Sequence, residues 1–182
     1  MAYLALDLSK RSAGWAWWAP GHDLPKCGTW ELGNELTTPA RAFLRLHQRM
    51  NDMHVVEPLQ EVRWERPLLL GMGSAHSTPE TQFVLIGLAA HADSYCEAKD
   101  IRRRGAVDAA TWRRHFIGKQ PRGTRSANLK DLAMQACRAL GIEPHRHDAA
   151  EAVGILDHML FLSGVKAPWR AEPAGPLFGD AA

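Results

Sequence analysis

Cysteine is scarce, tyrosine scarcer, and no long apolar run occurs anywhere in this 182-residue chain. The three cysteines, Cys27, Cys96 and Cys137, stand far apart and form neither a C-x-x-C pair nor an even disulfide set, which excludes a disulfide scaffold. They read as reduced, mostly buried thiols of a cytoplasmic protein. The longest clean apolar stretch, Phe83 to Ala90, falls far short of the ~20 residues that span a bilayer, and no basic segment followed by an apolar one opens the chain. Membrane spans and a secretory leader are therefore not expected. Internal repeats and glycine-rich phosphate loops are also missing. What remains is 46% hydrophobic, enough for one domain with a self-sufficient core and too short for two full ones.

A net charge of +2 hides a strong asymmetry. Between Ile101 and Lys130, nine cations (seven Arg and two Lys) face a lone Asp108, so this stretch carries +8 and the remainder about −6. One basic segment beside an acidic remainder points to a polyanion-binding face; the alternative is an ordinary solvated charge run.

The first third reads as a β-meander, with strands at Tyr3 to Leu8, Ala13 to Ala19 and Lys26 to Leu32, antiparallel because their connections are short. Thr38-Pro39 opens a helix, and Thr78-Pro79 opens a second running to about Lys99, each with a hydroxyl N-cap and Pro at N1. The second is apolar on more than one side, as expected of a helix deep in the core or one that gives a face to a partner. Between them, Glu61 to Trp64 reads as a buried strand ending at Glu65, where Arg66-Pro67 breaks regular structure. Arg103 to Val107 reads as a fifth strand, followed by a short helix capped by Asp108 and another from about Ser126 to Leu140, stopped by Gly141. The last helix begins at Asp148 as N-cap and runs through Leu162. From residue 166 onward prolines and glycines indicate a loose tail, so a domain over 1–165 and a tail over 166–182 are expected.

Four acids stand out. Asp148 and Glu151 are three apart and project from one helical face, while Asp7 and Glu65 end apolar strands. Carboxylates gathered on rigid elements repel one another unless cations intervene, and Mg²⁺ takes oxygen ligands and bridges to phosphate. Each acid alone has a structural alternative: Asp7 stops a strand, Glu65 is an exposed strand-end charge, and Asp148 with Glu151 forms a capping box. Trp112 and Phe116 read as core residues. Trp15 and Trp17 share a strand face, and Trp18 falls at an exposed rim.

The order of these elements, together with Leu4-Ala5-Leu6-Asp7-Leu8-Ser9, Val62-Arg63-Trp64-Glu65-Arg66-Pro67 and His147-Asp148-Ala149-Ala150-Glu151-Ala152, resembles the RuvC-like Holliday junction resolvases of the ribonuclease-H-like superfamily over about Ala2 to Leu162. That resemblance implies an α/β fold: a mixed five-stranded sheet, a three-stranded antiparallel meander plus two parallel strands, flanked by helices. It implies that Asp7, Glu65, Asp148 and Glu151 are the catalytic and metal-binding acids, holding two Mg²⁺ ions, with Mn²⁺ as a substitute. Glu151 departs from the shorter Asp usual in cellular members. Also implied are homodimerisation through the Pro79 to Lys99 helix, branched DNA as the partner, and a bacterial or phage-infected cytoplasm as the location. In the basic segment, Arg113, Arg114, Lys119, Arg122, Arg125 and Lys130 are the candidates for phosphate contacts. His147 adjoins the acids in a supporting or solvent role; His145 and His158 are weaker candidates, and a zinc site built from these histidines lacks ligands at matching spacing.

The expected activity is nicking of four-way DNA junctions, leaving a 5′-phosphate and a 3′-hydroxyl. Alternatives are a ribonuclease-H-type nuclease on RNA–DNA hybrids and a nucleic-acid-binding module of the same fold without cleavage. An actin-like kinase or chaperone also opens on a strand with Asp, but it needs two lobes and glycine-rich loops.

Overall fold

Alternating side chains of a central strand decide which layer lies on which side of the sheet. The computed structural model describes residues 1–67 and 78–170. In β1 (Ala2–Leu8), Leu4 and Leu6 point to one face, where they meet Leu46 and Met50 of α1 (Pro39–Val56) and Val84 and Leu88 of α2 (Pro79–Ala98). Tyr3 and Ala5 point to the other face, against α5 (His147–Leu162). Asp7 shares that second face by the two-residue period.

Strand order is β3-β2-β1-β4-β5. β2 (Ser12–Trp18) runs antiparallel to β1 and to β3 (Lys26–Glu31), whereas β4 (Leu59–Glu65) runs parallel to β1 and to β5 (Arg103–Val107). This is the mixed sheet that the sequence predicts. Leu6 pairs with Trp64, so Asp7 and Glu65 leave the sheet at the same end of neighbouring strands. The parity that sends Val62 and Trp64 to the α1/α2 side turns Glu65 toward α5.

Helix starts follow their caps. Thr38 and Thr78 each accept a bond from the backbone N–H three residues on, with Pro39 and Pro79 in the first turn. α3 (Ala109–Phe116) and α4 (Ser126–Ala139) cover the outer side of α5, so the segment Ala149 to Leu160 of α5 is buried throughout. Small residues make the close approach possible. A Cβ on Gly154 would lie 2.6 Å from the Trp112 ring, and one on Gly14 would lie 2.0 Å from the Asp148 carbonyl oxygen.

Three local expectations are corrected. Asp148 is not the N-cap of α5; Arg146 is, without a side-chain bond, because the Asp148 carboxylate is turned toward the sheet, where it accepts from the Ser12 hydroxyl at 3.2 Å. Asp108 is the cap residue of α3 but bonds no backbone amide, its carboxylate pairing with Arg66 at 2.9 Å instead. Trp18 is buried rather than exposed at a rim: Tyr3 packs tilted against its ring, Trp169 meets it edge-on, and its indole N–H donates to the His22 carbonyl.

After α5 the chain turns back through a 3₁₀ turn, Pro168–Arg170, held by a buried acid. Asp157 accepts bonds from the Trp169 indole at 2.8 Å, the Arg170 guanidinium at 2.9 and 3.0 Å, and His115 of α3 at 2.9 Å. Of the expected 166–182 tail, residues 171–182 lie outside the described residues. No helix among the described residues is long and apolar enough to cross a membrane. Burial pushes the Cys96 and Cys137 thiols up to about 12, which leaves them packing groups.

Candidate metal centre

Asp7 sits on the central strand opposite Gly14, and the absence of a side chain at Gly14 lets the first turn of α5 settle onto β2. That docking delivers Asp148 and Glu151 to Asp7. One carboxylate oxygen from each of the three lies within 4.8 Å of the others. Glu151 is almost wholly buried, and Asp7 and Asp148 are half-buried.

Such crowding has an electrostatic cost. Burial pushes the Asp7 carboxyl well above its ordinary range, and the neighbouring charges of Glu151, Glu65 and Asp148 push it the same way. Burial also raises Glu65, against the opposing pull of Arg113 and of the Trp112 indole.

Two cations partly answer the crowd. Arg113 of α3 reaches Glu151 at 2.6 Å and Glu65 at 3.5 Å, bridging the fourth acid to the other three. Lys130 of α4 reaches Glu151 at 3.4 Å and Asp148 at 3.7 Å. Burial works against the charged Lys130 ammonium, yet the carboxylates of Glu151, Asp148 and Asp7 outweigh it and hold its pKa above the usual lysine value.

The donor set fits a hard divalent cation. Asp7, Asp148 and Glu151 offer only oxygen, Glu65 adds a fourth carboxylate alongside, and among the described residues no thiol or imidazole enters the cluster. Arg113 and Lys130 turn inward onto these carboxylates from α3 and α4, bringing positive charge that the sheet and α5 do not supply. This buried acidic cluster is suited to binding a metal.

The six basic residues singled out in the sequence separate into two groups. Arg113 and Lys130 face the acids, while Arg114, Lys119, Arg122 and Arg125 form no ion pair among the described residues. The front of the basic stretch is largely neutralised: Arg103 pairs with Glu61 at 3.1 Å, and Arg104 pairs with Asp93 at 2.6 Å and with Glu97. His147 is exposed and reaches Asp131 at 3.8 Å rather than the cluster.

One participant escaped the sequence reading. Trp112, read there only as core, is fully buried, but its indole N–H donates to Glu65 at 2.8 Å and the Arg113 guanidinium stacks 4.9 Å over its ring. The signal was its neighbour: a tryptophan beside a cation on a short helix facing an acidic site carries a donor as well as a ring.

Comparison with known proteins adds the fold. No protein-family profile matches the chain, and no curated protein does. Among solved structures, Thermus thermophilus RuvC superposes with a TM-score of 0.65 and 13% identity, covering 91% of this chain and 98% of that one. The same protein in complex with a Holliday junction substrate gives 0.64 and 11%, with coverages of 90% and 97%. The fold is therefore RuvC-like, reached with little sequence in common.

Proposed function

We propose that the chain is a divalent-metal-dependent endonuclease that cuts branched DNA, four-way junctions above all. The observation that carries this reading is the convergence of Asp7, Asp148 and Glu151 within 4.8 Å, with Glu65 beside them, on a fold shared with a protein solved on a Holliday junction. In this reading the four acids hold two Mg²⁺ ions, replaceable by Mn²⁺. Bound ions of this kind activate water and stabilise the leaving oxygen in phosphodiester hydrolysis.

The protein's own part is orientation and charge. β1 and β4 fix Asp7 and Glu65 at adjacent strand ends, Ser12 holds Asp148, and Trp112 holds Glu65. Glu151 is one methylene longer than Asp, a length that Arg113 and Lys130 accommodate by gripping its two oxygens from opposite helices. With metal ions bound, Arg113 and Lys130 would stand beside the phosphate to be cut and could stabilise its developing charge. Arg114, Lys119, Arg122 and Arg125 supply further phosphate contacts, giving affinity with steep salt dependence and little sequence information.

A symmetric dimer suits a near-two-fold substrate, and α2 exposes Phe83 and Ile86 one turn apart on a single face. We assign the dimer contact to that face and the nuclease domain to residues 1–165 together with the Pro168–Arg170 turn that Asp157 holds.

The test is a panel of substrates with purified protein and Mg²⁺: a four-way junction, a flap, a linear duplex and an RNA–DNA hybrid. The junction is expected to be nicked fastest, leaving a 5′-phosphate and a 3′-hydroxyl. Cutting of the hybrid alone would move the activity to the ribonuclease-H type, and binding without any cutting would leave a nucleic-acid-binding module.

A further inference from the structure

Asp157 of α5 is buried, yet its carboxylate accepts four bonds: one from the Trp169 indole, two from the Arg170 guanidinium and one from the His115 ring. Trp169 and Arg170, from the turn after α5, by themselves match its charge and occupy both of its oxygens. The His115 bond, at 2.9 Å, is more than the carboxylate needs for that, and it ties this corner to α3. Arg170 also lies 5.5 Å over the Phe116 ring, and Phe161 packs against His115 at 4.7 Å.

α3 needs such a tie. Eight residues are too few to hold a helix without tertiary contacts. Its start is joined to the sheet by Arg66 and Asp108, a pair exposed on both sides, and exposed pairs hold little. Its middle rests on Gly154, which meets the Trp112 and Phe116 rings without a side chain of its own. Apolar packing is non-directional, so this contact sets how close α3 lies and does little to fix its rotation. Rotation matters because Arg113 reaches Glu151 at 2.6 Å and Trp112 reaches Glu65 at 2.8 Å from this helix. His115 lies two residues beyond Arg113, about 200° round the helix axis. With the acids pulling from one side, a directional bond on the other fixes the angle.

We propose that Asp157 and His115 are positioning residues for the metal centre: braced by the Pro168–Arg170 turn, they fix the rotation of α3 and with it the reach of Arg113 and Trp112 to the acids. The inference rests on the endonuclease reading above. Trp169 and Arg170, which the sequence assigns to a loose tail, thereby act on the site through α3.

His115→Leu removes the bond and keeps the bulk, while Asp157 retains its Trp169 and Arg170 donors, so the fold holds, as a matching melting curve will show. His115→Gln restores a donor at the place of the ring Nε2. Two readouts are taken on the full chain. Without metal, solvent exchange of the Trp112 indole proton, identified by its loss in Trp112→Phe, is expected to speed roughly ten-fold in His115→Leu and to return close to the original rate in His115→Gln. With saturating Mg²⁺ and protein, single-turnover nicking of a four-way junction is expected to slow roughly ten-fold or more in His115→Leu, with junction affinity unchanged, and to recover in His115→Gln. In an Arg113→Ala background, His115→Leu should slow nicking no further. Unchanged indole exchange in His115→Leu, or the same slowing with Arg113 absent as with it present, overturns the positioning role and leaves the endonuclease reading standing. An unmodified protein that nicks no junction overturns the endonuclease reading and the rate effect with it.

Discussion

Asp7 is a carboxyl group that its surroundings prefer to keep protonated, because burial and three nearby acids oppose its charge. Its native pKa is raised, so its favourable contribution to stability is complete below the ordinary carboxylate range and is lost as pH rises through the native value. In chelator, Asp7→Asn should therefore melt higher than the unmodified protein, by a margin that widens from mildly acidic to neutral pH. Mg²⁺ should reverse the ranking near neutrality: a ligand at 100 times its Kd stabilises by about 2.7 kcal/mol, and the Asn variant loses most of that gain. Thermal melts across pH with and without Mg²⁺ check both signs. A constant difference at every pH would mean that Asp7 is not under the strain described.

Elements carry these residues to one another, and α3 and α5 do most of the placing. Trp112→Phe removes the donor that orients Glu65 while keeping most of the ring. It should weaken apparent Mg²⁺ affinity roughly ten-fold or more. In a Glu65→Gln background the same change should cost affinity nothing further, a cycle that separates orientation of Glu65 from simple loss of packing. At the other end of the site, Gly14→Ala would set a methyl against the Asp148 carbonyl and lift α5 from β2. The expected cost is about 2 kcal/mol by calorimetry together with a loss of metal affinity, since overpacking at a backbone contact has no flexible side chain to absorb it.

The elements themselves were legible from alternation, hydroxyl caps and proline, which act locally; β5 and both proline-led helices stand where those signals put them. Asp148 and Glu151 were legible as a pair because helical spacing puts them on one face, whereas their grouping with Asp7 and Glu65 rested on the family resemblance. The partners that bridge between elements were not legible. Arg113 and Lys130 read only as phosphate contacts, and Trp112 as core, because their contacts with the acids depend on how α3 and α4 lie over α5, which no local pattern specifies. Asp148 was misread as a cap for the same reason: its acceptor capacity is used across 136 residues by Ser12 rather than along its own helix.

At the scale of the whole molecule, charge and apolar surface are segregated. Arg114 and Lys119, without ion pairs among the described residues, line a cleft that shares Arg113 with the acid cluster, while α2 presents Phe83 and Ile86 on the opposite side of the sheet from α5. Sedimentation should therefore report a dimer for the chain and a monomer of unchanged melting temperature for Phe83→Asp; a monomeric unmodified chain would remove α2 as the contact. The chemistry itself is tested most directly by incubating a four-way junction and Mg²⁺ with the protein and, in parallel, with Asp7→Asn. The account predicts nicks from the former and intact junction, still bound, from the latter. Equal cutting by both would contradict it.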